Sequence, residues 1–122
     1  MIAVLRVALP LLAAGCASDP EGLITPKVVA GIEIAPFAIH EQCFALAVGD
    51  RVAYHFTAIQ PVAFNVHFRE GNAKIIPVDV KSTLEESGDF TVDQPQAYCL
   101  AWEAGAQGSI VHYRVQQVRP RQ

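Results

Sequence analysis

Residues 51–70 read Arg51-Val-Ala-Tyr-His-Phe-Thr-Ala-Ile-Gln-Pro-Val-Ala-Phe-Asn-Val-His-Phe-Arg-Glu70. Val52, Tyr54 and Phe56 alternate with smaller or polar residues, and so do Val62, Phe64, Val66 and Phe68. A period of two is the signature of a strand with one face in a core. Asn65, His67 and Arg69 fall on the opposite, outward face. Gln60-Pro61 interrupts the run, because proline cannot donate to a ladder. The stretch therefore predicts two strands, Arg51 to Ala58 and Val62 to Arg69.

The same period extends outward in both directions. Upstream it predicts strands at Val28 to Ile34 and Gln42 to Val48, and Gly49-Asp50 reads as a type II′ hairpin turn into residue 51. Downstream, Gly71-Asn72 turns the chain into Lys74 to Val80, an expected edge strand because it holds Pro77. Lys81 to Ser87 is polar and reads as a loop with one helical turn. Asp89 to Val92, Ala97 to Glu103 and Ser109 to Val118 complete the set. The expected fold class is all-β: a small β-sandwich of about eight strands with one disulfide.

Composition narrows the function classes. The chain has 122 residues, 52% of them hydrophobic, which fits one folded domain and excludes a disordered body. Arg6 is the only charged residue among the first 15, so the remainder holds 8 basic against 12 acidic residues. No basic stripe is present, which argues against nucleic acid as a partner.

Residues 1–15 place Arg6 before an apolar run, Val7 to Leu12, and then small residues, the form of a secretory signal. Leu12-Ala13-Ala14-Gly15-Cys16 resembles the bacterial lipobox, in which small residues precede a cysteine that receives a diacylglycerol. The resemblance implies a lipoprotein acylated at Cys16 and held by its lipid on a membrane. Ala17 follows the cysteine, and in lipoproteins a non-acidic residue there favours the outer membrane facing the periplasm. A plain cleaved signal and a buried first strand are the alternatives. The expected organisation is a signal peptide over 1–15, the lipidated cysteine and a flexible tether over 16–28, and the β-domain over 29–122.

With Cys16 acylated, Cys43 and Cys99 remain as a pair, 56 residues apart. Export would let them form a bridge, and two buried free thiols are the alternative. Parity puts Cys43 with Ala45 and Ala47, and Cys99 with Ala101, each opposite a bulky face. Their two strands are expected to be neighbours, with the bridge on the side away from Phe44, Leu100 and Trp102. Trp102 reads as core, the alternative being a surface anchor for a ligand.

Three motifs together resemble the GOLD domain, a β-sandwich of Golgi cargo receptors. They are Cys43-Phe44, Gly88-Asp89-Phe90 and Tyr98-Cys99-Leu100-Ala101-Trp102-Glu103. The resemblance spans residues 32–118; Ala104 stands where the family has Asn, and the coiled coil and membrane helix of the receptors have no counterpart. It implies a bonded Cys43–Cys99 pair and a domain that binds protein or lipid without catalysis.

The outward row Asn65, His67 and Arg69, with Glu70, is the candidate ligand-contact surface. His55, His67 and His112 all fall on outward positions and would make a metal site if their strands brought the rings together, since imidazole binds zinc and copper. No catalytic set stands out. Ser18, Ser82, Ser87 and Ser109 lie in no nucleophile elbow, and Gly105-Ala-Gln-Gly108 is a turn and not a phosphate loop. The expectation is a binding module for an envelope protein, glycan or lipid, with no cofactor; metal handling and a structural role in an envelope assembly are the alternatives.

Overall fold

The computed structural model describes residues 22–94 and 97–118. Those residues form six strands: β1 Lys27–Ile34, β2 Ile39–Ala45, β3 Arg51–Glu70, β4 Ala73–Thr91, β5 Ala97–Ala104 and β6 Ser109–Val118. They join one antiparallel sheet in the order β1-β6-β3-β5-β2, with β4 along the other edge of β3. The fold is all-β, with a disulfide between Cys43 and Cys99.

β3 explains how one sheet makes two layers. Its residues 51–58 pair with β6, and its residues 62–67 pair with β5. Phe56 and Phe64 are eight residues apart, about 26 Å in a straight strand. Their ring centroids lie 4.7 Å apart, so the strand bends back and its halves face each other. Tyr54 and Phe64 meet the same way, at 5.0 Å. One half carries β1, β6 and the end of β4; the other carries β2, β5 and the start of β4. Phe44, Phe56, Phe64, Leu100, Trp102, Val111 and Val115 fill the space between the halves and are fully buried. Burial on that scale, at about 25 cal/mol per Å² of apolar surface, drives the closure.

The eight expected strands are these six, with β3 and β4 each counted twice. Gln60-Pro61 bends β3 without ending it, because the bend is where its partner changes. Ser109 Oγ stands in for the ladder there: it accepts from the Gln60 N–H at 3.1 Å and donates to the Gln60 carbonyl at 2.8 Å. Lys81 to Ser87 is strand and not a loop with a helical turn. Its polarity reflects a solvent-facing edge, and Thr83 Oγ1 donates to the Glu85 carbonyl at the corner of β4. β4 does lie at an edge, with Pro77 at a bulge between Val66↔Val78 and Phe68↔Ile75.

The turn at Gly49-Asp50 forms, but not as a hairpin. Asp50 N–H donates to the Ala47 carbonyl at 3.0 Å, so Gly49 is the third residue of the turn, at φ +92°. It carries the chain from β2 in one half to β3 in the other. Gly88 is needed for another reason: a Cβ there would sit 2.5 Å from Tyr54 Oη, because the Tyr54 ring lies over its ladder partner Gly88. At the N-terminal end Leu23 is 3% exposed within the core, and β1 begins at Lys27. Those residues belong to the folded body and not to the tether expected over 16–28. The expected signal peptide, Cys16 and the tail 119–122 lie outside the described residues.

Candidate functional site

The outer face of the β3–β5–β2 half is a small grid set by ladder register. One row runs Asn65↔Ala101↔Glu41 and the next runs His67↔Cys99↔Cys43. The two cysteines are directly opposite each other and bonded, on the face away from Phe44, Leu100 and Trp102, as their parity predicts. Ala97 and Cys99 are small and leave space above β5. A cleft of about 290 Å³ results, lined by Glu41, His67, Phe68, Arg69, Ala97 and Cys99.

His67 forms its floor. The sequence places it outward, and it is on the outward face, yet it is only 5% exposed. Asn65 Oδ1 lies 2.7 Å from Nδ1, and Glu41 Oε2 lies 3.1 Å from Nε2. A protonated ring donates to both oxygens; a neutral ring donates to one, and its other nitrogen needs the Asn65 amide turned to present N–H. Burial pushes the His67 pKa down, Lys74 lowers it further, and Arg69 adds a smaller push in that direction. Glu41 opposes them by its charge and its hydrogen bond. The net direction is down, so the ring is neutral at neutral pH.

Of the other expected contact residues, Arg69 stands exposed at the rim and faces Lys74 across the ladder. Glu70 is turned to the neighbouring loop, where its Oε2 accepts from Gln94 Nε2 at 2.7 Å. Glu41 is the site residue that sequence reasoning missed. The signal was available: Glu41 has the parity of Cys43, and β2 begins at Ile39 and not at Gln42.

The three histidines do not come together. His55 lies on the other half of β3, exposed, with Nε2 3.0 Å from Glu85 Oε2. His112 is exposed on β6 opposite Thr57. His67 is beyond the bend, opposite Cys99 on β5. Among the described residues, the set of three potential metal ligands that does converge is Glu41, Cys43 and Cys99, and it contains no histidine.

A second polar cluster closes the sandwich. His40 Nε2 is 2.9 Å from Tyr113 Oη, which joins β2 in one half to β6 in the other. The Trp102 ring stacks on Tyr113 at 4.3 Å and is fully buried, so this tryptophan is core and not a surface anchor. Its indole N–H finds no acceptor among the described residues. Burial, then Lys27, lowers the His40 pKa.

What the cleft can do follows from its groups. It offers a neutral imidazole at its floor, a carboxylate and a guanidinium, with Ala97 and Cys99 beside them. The Cys99 sulfur that lines the cleft is bonded to Cys43, and Ser109 spends its hydroxyl on Gln60 at the bend. Recognition of a polar ligand is the chemistry these groups share. No family model and no curated protein matches the chain.

Proposed function

We propose that the chain is a lipoprotein of the cell envelope, acylated at Cys16, whose β-domain is a non-enzymatic binding module. The lipobox-like segment supports the anchor. So does the cysteine count, because Cys43 and Cys99 are bonded to each other and Cys16 is the remaining cysteine. By the same resemblance its place is the outer membrane, facing the periplasm. The likeness to the GOLD domain supports a protein or lipid as the partner, and a glycan fits the polar groups equally.

The cleft at His67 carries the reading. A buried imidazole held between Asn65 and Glu41 costs desolvation, and a cleft between it and an exposed arginine is shaped to receive a ligand. The test is a photo-reactive side chain at position 69 in intact envelopes, with position 112 as the control. A discrete adduct from 69 alone supports the reading; equal labelling, or none at either site, removes it. Incorporation of radioactive palmitate, abolished by Cys16→Ala, tests the anchor separately.

One observation favours a second reading, a subunit of an envelope assembly. Phe37 is 70% exposed at the third position of a turn, Ala35 to Ala38, and holds φ +61°. That conformation costs a non-glycine residue about 1–2 kcal/mol. Ile39 and Ile59 are also exposed. Such an apolar tip fits a contact with another subunit.

A further inference from the structure

We infer that the reduced form of the Cys43–Cys99 bond is a binding site for a divalent cation of the zinc type, with Glu41 as the third ligand. The inference goes beyond the cleft's role as a contact surface and does not depend on what the cleft binds.

Geometry carries it. One carboxylate oxygen of Glu41 and the two sulfurs all lie within 4.8 Å of one another. The two sulfurs are bonded to each other here; once reduced they must part to the roughly 3.8 Å that tetrahedral zinc with Zn–S bonds of about 2.3 Å holds between them, with the Glu41 carboxylate still within reach of both. The cysteines do not rely on their bond to stay together. β2 and β5 are paired over seven positions, from Ile39↔Glu103 to Ala45↔Ala97, with Cys43↔Cys99 near the middle. Opening the bond leaves the two thiols facing each other on a hydrogen-bonded ladder.

The surroundings suit a metal. Glu41 is fixed by His67, whose Nε2 lies 3.1 Å from Oε2. A hydrogen bond to a ligating carboxylate is the usual second layer around a metal, and here His67 is a positioning residue. Both cysteines are partly exposed and Cys99 lines the cleft, so reductant, ion and a fourth ligand from water have a path in. Two thiolates and one carboxylate select zinc, cadmium or cobalt over magnesium or calcium, which prefer all-oxygen shells.

The chemistry balances with a dithiol reductant. The dithiol passes two electrons and two protons to the Cys43–Cys99 bond and becomes a disulfide itself. The cation then displaces the two thiol protons and binds the thiolates. An oxidant of the disulfide class reverses both steps and expels the ion.

The test is cobalt titration of the full chain carrying Cys16→Ala, which removes the third thiol. The oxidised chain is expected to show no thiolate-to-cobalt absorption. After reduction with a phosphine, one equivalent should bind with an intense tetrahedral spectrum. Glu41→Gln should keep the thiolate band and weaken binding tenfold or more; His67→Gln should also keep the band and weaken binding within the 10–100-fold range typical of outer-layer partners. The inference is overturned by no band in the reduced chain, by undiminished cobalt binding in Cys43→Ser/Cys99→Ser, or by unchanged affinity in Glu41→Gln. Loss of the near-ultraviolet aromatic signal on reduction with cobalt present also overturns it, because the ladder would then not hold the thiols together.

Discussion

β3 carries two histidines in nearly the same local setting, Tyr54-His55-Phe56 and Val66-His67-Phe68. Both point away from the core, yet their surroundings differ. The His55 side chain is half-exposed and meets Glu85 in solvent, while the His67 side chain is nearly buried between Asn65 and Glu41. The strand at their sides makes the difference. Beside His55 runs β6, which presents Arg114 directly opposite. Beside His67 runs β5, which presents Cys99 and Ala101, and beyond it β2 brings Glu41. Burial of an outward residue is thus set by the size of its cross-strand neighbours and not by its own sequence context.

The strongest way to probe this difference is to remove the cross-link that only the His67 half contains. Cys43→Ala/Cys99→Ala opens a 56-residue loop and should lower stability by about 4 kcal/mol in denaturant unfolding. Hydrogen exchange should accelerate more in β2 and β5 than in β6. A loss below about 1 kcal/mol, or equal acceleration in all three strands, would show that the two halves do not depend on the bond differently.

His67→Ala comes next. It deletes a buried ring and strips Asn65 and Glu41 of their partner, at an expected cost of about 1–3 kcal/mol. The value should exceed that for His55→Ala measured under the same conditions. Equal costs would contradict the contrast between the two histidines.

Acid sharpens the point. Burial and Lys74 hold the His67 pKa below the ordinary 6.5 against the pull of Glu41, and Arg69 adds to the depression. The unfolded chain therefore takes up its proton first as pH falls through about 6.5. The stability from this neutral ring is complete above that pH and is lost below it, levelling off once the folded ring protonates. His40, lowered by burial and then by Lys27, acts in the same direction. The unfolding midpoint should drop between pH 8 and pH 5, and His67→Gln should flatten part of the drop. A midpoint that rises on acidification would reverse the sign and refute the account.

The fold was readable where period two persisted. Strand positions and the side on which Cys43 and Cys99 meet follow from alternation, because parity is local, and the edge role of β4 follows from Pro77, which has no N–H to donate. What alternation cannot encode is a partner. Gln60-Pro61 looks like a strand end until Ser109, 49 residues away, is seen to take its hydrogen bonds. Lys81 to Ser87 looks like a loop because an edge strand facing water on its outer side needs no apolar face. At the site the limits were the same. Asn65, His67 and Arg69 were legible as a row, whereas Glu41 and the burial of His67 depend on three strands lying in register. The histidine trio failed for that reason: outward parity is shared by His55, His67 and His112, but the bend in β3 puts His67 on the opposite layer.

The smallest expected effect belongs to His55. Its contact with Glu85 is 3.0 Å long but lies in solvent, with half or more of each side chain exposed. Such exposed contacts contribute roughly 0.2–1 kcal/mol, because water competes for both groups and two side chains must be ordered to meet. His55→Ala should therefore change stability by less than about 1 kcal/mol in denaturant unfolding. The paired substitution Glu85→Ala should give a similar value, and the double variant should cost little more than either. A larger loss would mean that the outer face of the β6 half is covered in the native protein. His55 would then be buried by something other than its own strands, and the asymmetry between the two halves would belong to the isolated domain alone.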